Sequence, residues 1–314
     1  CASDCAITPI HDVGFIPKMQ DGKKGFKMVT GGGTAIMPRI APTLFEFVPV
    51  EEYLKVTEAV LRVFHRTNEL RKNRMKARIK FYIDRVGIDQ FRSEVEGELK
   101  EPWAQRSFDP KDLLFIDDEA GDAPRLDGDY KPHGNEPEFQ MWLDTNVETQ
   151  RQAGYRAVNI KVKMGDINAQ QFGQLADISR KYAGGRARLT HQQNLTLRWV
   201  PENALYEVWQ KLSDIGFGDS GVHGITDVVS CPGTDSCKLG ITASMGLGRA
   251  ISDTIDELDK SDPLVSQMHV KMSGCPNGCG QHHIADIGFH GAAAKGPGGQ
   301  VPAYEMFLGG SFEG

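Results

Sequence analysis

No stretch of this sequence approaches the ~18 consecutive apolar residues that a membrane-crossing helix requires. None joins a basic start, an apolar middle and a small-residue cleavage site in the manner of a secretory leader. Neither sign of charge dominates: 36 Lys and Arg oppose 42 Asp and Glu, a net charge of -6 over 314 residues. So mild a balance offers no basic face to a nucleic acid or an anionic membrane. Cysteines number only six, too few in so long a chain for the disulfide framework of a small secreted domain. No G-x-G-x-x-G segment is present to cradle a nicotinamide or flavin dinucleotide. The acidic stretch "IDDEAGDAPRLDGDYKPHGNEPE" from Ile116 lacks the ligand spacing of a calcium loop. These absences leave a cytoplasmic protein of about two domains, at roughly 100–200 residues each, with no nucleic-acid partner and no membrane span.

What is present is patterned. Leu54, Val60, Leu61 and Phe64 recur at helical spacing, predicting a helix from about Glu51 to Leu70. "RKNRMKARIKFYIDRVG" and "IDQFRSEVEGELK" read as two further helical pieces broken at Gly87. The Asp-, Gly- and Pro-rich segment that follows reads as a solvated connection. "AVNIKVKM" then alternates, Val158, Ile160, Val162 and Met164 against Asn159, Lys161 and Lys163, which predicts a half-buried strand with solvated lysines. An amphipathic helix, a second alternating strand ending "LTLRWV" and a helix opened by Pro201 complete a sheet-and-helix unit.

The six cysteines are Cys1, Cys5, Cys231, Cys237, Cys275 and Cys279. They expose an internal repeat. "CASDCAITPIHDVGF" at the start matches "CPNGCGQHHIADIGF" from Cys275 without a gap, placing Cys1 on Cys275, Cys5 on Cys279, Asp12 on Asp286 and Gly14 on Gly288. Further on, "MVTGGG" from Met28 faces "MFLGGS" from Met306. Two similar structural units follow from a duplication of this size. Helices follow the first copy and a cysteine loop precedes the second, so the chain reads as cut at both ends. Cys231-x5-Cys237 with Cys275-x3-Cys279 supplies the four thiolates of a 4Fe-4S cluster. A structural zinc site also uses two cysteine pairs, commonly at x2 to x4 spacing, and stays an alternative at this point. Small residues around the first pair would let backbone approach a bulky group. Cys237 is expected at the start of a helix, where the positive end of the dipole would favour an anionic cluster.

"CPGTDSCKLG" with "SGCPNGCGQHHIADIGFHG" resembles the signature of the sirohaem-containing nitrite and sulfite reductases. The resemblance implies that Cys231, Cys237, Cys275 and Cys279 bind one 4Fe-4S cluster, and that Cys279, the catalytic cysteine, also ligates the sirohaem iron. It implies an α+β fold of α/β layers: pseudo-twofold duplicated sirohaem/iron-sulfur domains with a ferredoxin-like half-domain between them. The boundaries expected are 1–110 for the tail of the first such domain, 111–139 for a linker, 140–212 for the half-domain and 213–314 for the cluster-bearing domain. The implied activity is six-electron reduction of sulfite to sulfide or nitrite to ammonia, with electrons from ferredoxin. The alternative is an electron-transfer or structural metal protein that uses the four cysteines without sirohaem. Sirohaem carries many carboxylates, and the resemblance extends to the basic run after Leu70. Arg71, Arg74, Lys76 and Arg78 are therefore assigned to it, arginine being suited to bidentate pairing. Asn277 is expected to orient the second cysteine loop toward the cofactor. "RLTHQQNLTL" resembles the family's R-x-T-x-x-Q segment, which makes Arg188, Thr190, Gln193 and Asn194 structural counterparts of a substrate-side motif. His282 and His283 could relay protons or simply pack. Cys1 and Cys5 are read as a vestigial pair.

Overall fold

Two units make up the computed structural model, residues 1–116 with 311–314 and residues 117–310. The description covers residues 4–106, 119–130, 134–258 and 262–311. Cys1, and residues 111–118 and 131–133 of the expected linker, lie outside it.

In the first unit, β1 (Val13–Gln20) and β2 (Lys23–Thr30) form an antiparallel hairpin. Asp21 and Gly22 both take positive φ in its two-residue turn, the conformation an Asp-Gly pair favours. β3 (Thr43–Pro49) pairs with the other edge of β2. α1 (Tyr53–Arg66), α2 (Ile79–Val86) and α3 (Ile88–Glu98) follow. Met28, Leu44 and Val48 from the sheet meet Val56, Val60 and Val63 of α1 and Phe91 and Val95 of α3 in one core. α1 is shorter than its periodicity predicts, and the basic run after it is not a helix. Residues Asn68–Lys72 and Arg74–Lys76 form two short 3-10 turns. Between them Asn73 is extended, its side chain accepting the Met75 backbone N–H at 3.0 Å. Local side-chain capping of this kind competes with helix propagation. Gly87, at φ 81, does separate α2 from α3.

Lys80 is buried, and its ammonium donates to the carbonyls of Thr34, Ile36 and Met37 at 2.8, 3.1 and 2.9 Å. It thereby ties α2 to the loop after the Gly31-Gly32-Gly33 cluster. Burial, followed by the charges of Arg78 and Arg39, pushes its pKa down to about 8.

The second unit contains two sheets. The first has the order β4-β5-β7-β6 and is antiparallel throughout: β4 (Val147–Thr149), β5 (Tyr155–Ile160), β6 (Arg188–Leu189) and β7 (Leu195–Pro201). α4 (Pro137–Asn146), α5 (Ala169–Tyr182) and α6 (Leu205–Asp214) accompany it. Trp142, Val158, Ile160, Tyr182, Leu197 and Val208 share its core. An Asn168–Gln171 capping box starts α5. β5 is shorter than its alternation suggests and stops at Ile160, because Met164 turns to φ 56. Its polar face is covered as well. Asn146 donates to the carbonyls of Asn159 and Asp219, each at 3.0 Å, and Lys161 is only 6% exposed. Lys161 is thus not the solvated lysine its spacing predicts; Lys163 is the exposed one. Pro201 ends β7 and also caps the helical segment that follows, a 3-10 turn at Glu202–Ala204 that runs into α6 at Leu205.

Residues 119–130 stay at the surface, none of them buried, yet the connection is not loose. The Glu119 carboxylate pairs with Arg188 and Arg198 and accepts from the Trp199 indole at 3.2 Å, while the Tyr155 hydroxyl donates to the Pro124 carbonyl at 2.7 Å. Hydrogen bonding of this density fastens the segment to the β4-β5-β7-β6 sheet.

The second sheet has the order β11-β10-β9-β8. β8 (Val229–Ser230), β9 (Val270–Ser273) and β10 (Ile287–Gly296) run parallel, and β11 (Gly299–Leu308) returns antiparallel on β10. α7 (Ser244–Asp256) and the short α8 (Pro263–Ser266) connect β8 to β9. Met245, Ile255, Val270 and Met272 form the core here.

The repeat seen in the sequence is written in the backbone. Thr8–Ile10 and His282–Ile284 are both 3-10 turns, each preceded by a left-handed residue, Ile7 at φ 53 and Gln281 at φ 61. Val13 pairs with Thr30 as Ile287 pairs with Leu308. Gly31 N–H donates to the Asp12 carbonyl, and Gly309 N–H to that of Asp286, both at 2.9 Å. Among the described residues no helix is long and apolar enough to cross a membrane.

Candidate functional site: two interlocked cysteine loops

Two loops leave the ends of adjacent parallel strands. β8 runs into Cys231, followed by a 3-10 turn at Gly233–Asp235 and then Cys237. β9 runs into Gly274 and Cys275, and Gly278, at φ 72, turns the chain back to Cys279. The loops grip each other through backbone. Cys231 N–H donates to Met272 O at 3.1 Å, and the N–H groups of Ile241 and Thr242 both reach Gly274 O, at 2.8 and 3.1 Å. A Cβ on Gly274 would stand 2.6 Å from the Gly233 Cα, so this approach needs glycine.

The four thiols of the two pairs act on one another. Although Cys279 is exposed as a residue, desolvation of its sulfur is the largest push raising its pKa, and Cys231, Cys275 and Cys237 each raise it further, so all three lie within electrostatic reach of that sulfur. Yet among the described residues no three His, Cys, Asp or Glu side chains are close enough to share one metal ion. A tetrahedral zinc with bonds near 2.3 Å needs its sulfurs roughly 4 Å apart. Four thiols acting on one another are the donor set that a thiolate-ligated iron–sulfur cluster takes.

The sulfurs differ in their surroundings. Cys275 is buried; Cys237 and Cys279 are exposed. Cys231 Sγ accepts the Gly274 N–H at 3.0 Å and lies 3.5 Å from Ser244 Oγ, which donates to the Cys231 carbonyl at 2.7 Å. Cys237 does not sit at a helix start: α7 begins only at Ser244. The dipole argument therefore does not apply to it; the backbone N–H recorded against Cys231 Sγ is that of Gly274.

Asn277 is half-buried in the turn between Cys275 and Cys279. His282 is fully buried, its Nδ1 2.9 Å from Ser273 Oγ and its ring centroid 3.9 Å from that of His283. Burial, then His283 and His290, drives its pKa down to about 3, leaving a neutral packing imidazole at ordinary pH.

The basic residues assigned from the resemblance lie in the first unit, the four cysteines in the second. Arg78 is committed to Asp12 at 2.8 Å, and Arg71 donates to His65 O at 2.6 Å. Arg74 and Lys76 are exposed and carry no ion pair among the described residues. In the second unit, Arg188 is held by Glu119, whereas Thr190, Gln193 and Asn194 form a tight turn beside β8. The Asn194 side chain accepts Val162 N–H at 2.8 Å and donates to Asp227 at 2.6 Å. A cavity of about 790 Å³ opens between Lys161, Lys163 and residues 219–226, and none of the four cysteines lines it. Cys5 is exposed. Ser244 and Gly274 could be noticed in sequence only as small residues near the cysteines; their hydrogen bonds to Cys231 depend on how the loops cross.

Residues 1–103 and 221–313 match the model of the nitrite and sulphite reductase 4Fe-4S domain. The chain belongs to the nitrite and sulphite reductase family. Residues 148–215 of this reductase-family chain match the nitrite/sulfite reductase ferredoxin-like half domain, in the region of the β4-β5-β7-β6 sheet. Membership implies a 4Fe-4S cluster and sirohaem as cofactors. The ferredoxin–nitrite reductase of Synechococcus elongatus is 29% identical over 309 residues, covering 96% of this chain and 53% of that protein. A protein named sulfite reductase [ferredoxin] 2 from Mycolicibacterium paratuberculosis is 28% identical over 308 residues, covering 96% and 50%. The solved structure of Mycobacterium tuberculosis NirA superposes with a TM-score of 0.71 at 25% identity, over 96% of this chain and 51% of that one. It supports the duplicated α+β fold. The chain spans about half the length of the relatives it matches.

Proposed function

We propose that this chain serves the six-electron reduction of a small oxyanion, sulfite to sulfide or nitrite to ammonia, at a sirohaem joined to a 4Fe-4S cluster by the Cys279 thiolate. The observation that carries the reading is that two cysteine loops are locked together by backbone hydrogen bonds, with Cys231, Cys237 and Cys275 all within electrostatic reach of the Cys279 sulfur. In this reading those four sulfurs hold the cluster, and the glycines of the crossing loops let backbone close around it. The cofactor pair supplies storage and delivery of single electrons, which side chains cannot provide. The chain's own part is to position the sulfurs and to offer positive charge to an anionic cofactor, for which Arg74 and Lys76 are the uncommitted candidates and Arg71 and Arg78 the anchored ones. Asn277 shapes the turn that presents Cys279.

Relatives named for nitrite and for sulfite both occur, so the substrate is proposed as their shared class. The ferredoxin in both names supports a ferredoxin donor. A cytoplasmic setting belongs to the same proposal, although some relatives are named chloroplastic. The division at 1–110, 111–139, 140–212 and 213–314 is supported by family matches that break at 103, 148, 215 and 221.

Anaerobic reconstitution of the chain with iron, sulfide and sirohaem tests the reading. The expected product holds about four irons and four acid-labile sulfides beyond the haem iron, and its visible spectrum shows sirohaem bands. Cys279→Ser should uncouple the two groups in the electron paramagnetic resonance spectrum. One tightly held zinc in place of the cluster would sink the reading.

A further inference from the structure

β8 is the edge strand of its sheet: β9 pairs with one side of it, and no strand among the described residues lies on the other. The open side is nevertheless hydrogen-bonded. The Gln193 carboxamide donates to Ser230 O at 2.8 Å through Nε2 and accepts Ser230 N–H at 3.0 Å through Oε1. Two bonds exchanged with one residue are what a neighbouring antiparallel strand would supply. One side chain thus stands in for a strand, at the residue immediately before Cys231.

The residue that does this is itself braced. Gln193 takes a left-handed backbone at φ 65 and closes a turn in which its N–H reaches Thr190 O at 3.2 Å and Asn194 N–H reaches Thr190 Oγ1 at 3.1 Å. Non-glycine residues persist in that conformation where their surroundings demand it, and such residues gather at functional sites. On the far side Cys231 is fixed by Met272 O, by Gly274 N–H to its sulfur and by Ser244 to its carbonyl. Ser230, between the two sets, is fully buried.

We propose that Gln193 is a positioning residue for the first cluster thiolate: through Ser230 it sets where Cys231 Sγ stands relative to the other three sulfurs. Asn194 and Lys161 also join this sheet to the cysteine-bearing segment, but at Asp227, Ser220 and Thr226, away from the cysteine. Only Gln193 among these three grips the residue next to a ligand. The inference rests on the reading of Cys231 as a cluster ligand.

Gln193→Met keeps the length of the side chain and removes both hydrogen bonds. In the intact chain loaded with iron and sulfide, it should speed cluster loss to excess chelator by about tenfold to a hundredfold, the usual cost of removing an outer-shell partner. Gln193→Glu sets a carboxylate oxygen against the Ser230 carbonyl in place of a donor and should release the cluster at least as fast as Gln193→Met. Lys161→Met, which loosens the same pair of elements elsewhere, should release the cluster at the wild-type rate. A chain that fails to load still gives an answer through alkylation of its thiols. There Gln193→Met should raise the labelling rate of Cys231 by about tenfold and leave that of Cys275 unchanged, as expected when one or two net hydrogen bonds guard a local opening. Equal release by Gln193→Met and wild type, or equal acceleration by Lys161→Met, would overturn the inference. A Cys231→Ser chain that keeps a full cluster would instead overturn the reading beneath it.

Discussion

The two hairpins that open the repeat copies share a register, a left-handed entry and the same backbone bonds, yet their second strands have opposite fates. Met28 in β2 is 0% exposed, beneath β3 and α1. Its counterpart Met306 in β11 is 56% exposed, and Leu308, counterpart of the buried Thr30, is 71% exposed. A duplicated sequence therefore reproduces backbone geometry faithfully while burial is decided by what packs on it. The acids differ in the same way. Asp12 pairs with Arg78, from a helix-capping position far along the chain. Asp286 accepts from the backbone and ring of His269; burial pushes its pKa up, and these bonds outweigh that and hold it below the usual range.

The largest expected break between the copies is at the methionines. Met28→Ala should cost about 2–5 kcal/mol in urea unfolding of the first unit, as buried large-to-small changes do. Met306→Ala should stay within about 0.5 kcal/mol. Similar losses at both sites would mean that β11 is covered in solution.

A smaller effect comes from pH. His282 occupies the place of Thr8, which does not titrate. An unfolded histidine binds a proton below about pH 6.5, whereas folded His282 refuses one down to about 3. Its contribution is thus complete above pH 6.5 and is lost as pH falls through that window, by up to about 1.4 kcal/mol per pH unit. Unfolding curves of the second unit should show this slope, and His282→Phe should flatten it.

The smallest effects belong to the acids. Asp12→Asn and Asp286→Asn should each change stability by about 0–1 kcal/mol, because both pairs are partly exposed and screened. A larger loss at Asp12 would mean that its bond to Arg78 is better shielded from solvent than its exposure suggests.

Much of the candidate site is legible in the sequence because cysteine spacing is a local property. The C-x5-C and C-x3-C loops fall between the strands and helix their flanks predict, and the repeat anticipates both hairpins. What escapes is set by partners distant in sequence. Lys161 lies on a strand face that alternation alone marks as solvated, and only Asn146 and Ser220, from elsewhere in the chain, reveal that the face is covered. Residues 119–130 have the composition of a loose connection, but two arginines presented by β6 and β7 hold Glu119. The run from Arg71 to Lys80 has helical propensity throughout, yet Asn73 diverts the backbone before Ile79. Gln193 is visible in the sequence only as part of a motif; that it completes a strand edge depends on how two elements meet.

Ile7 carries a final lesson. A branched side chain in a left-handed turn sits about 1–2 kcal/mol above its ordinary conformation, and glycine or asparagine would occupy the spot at less expense. Its twin at Gln281 belongs to a loop crowded with sulfur. Two side chains as unlike as isoleucine and glutamine take the same left-handed step, so the step is imposed by the turn it opens and not by the residue that makes it.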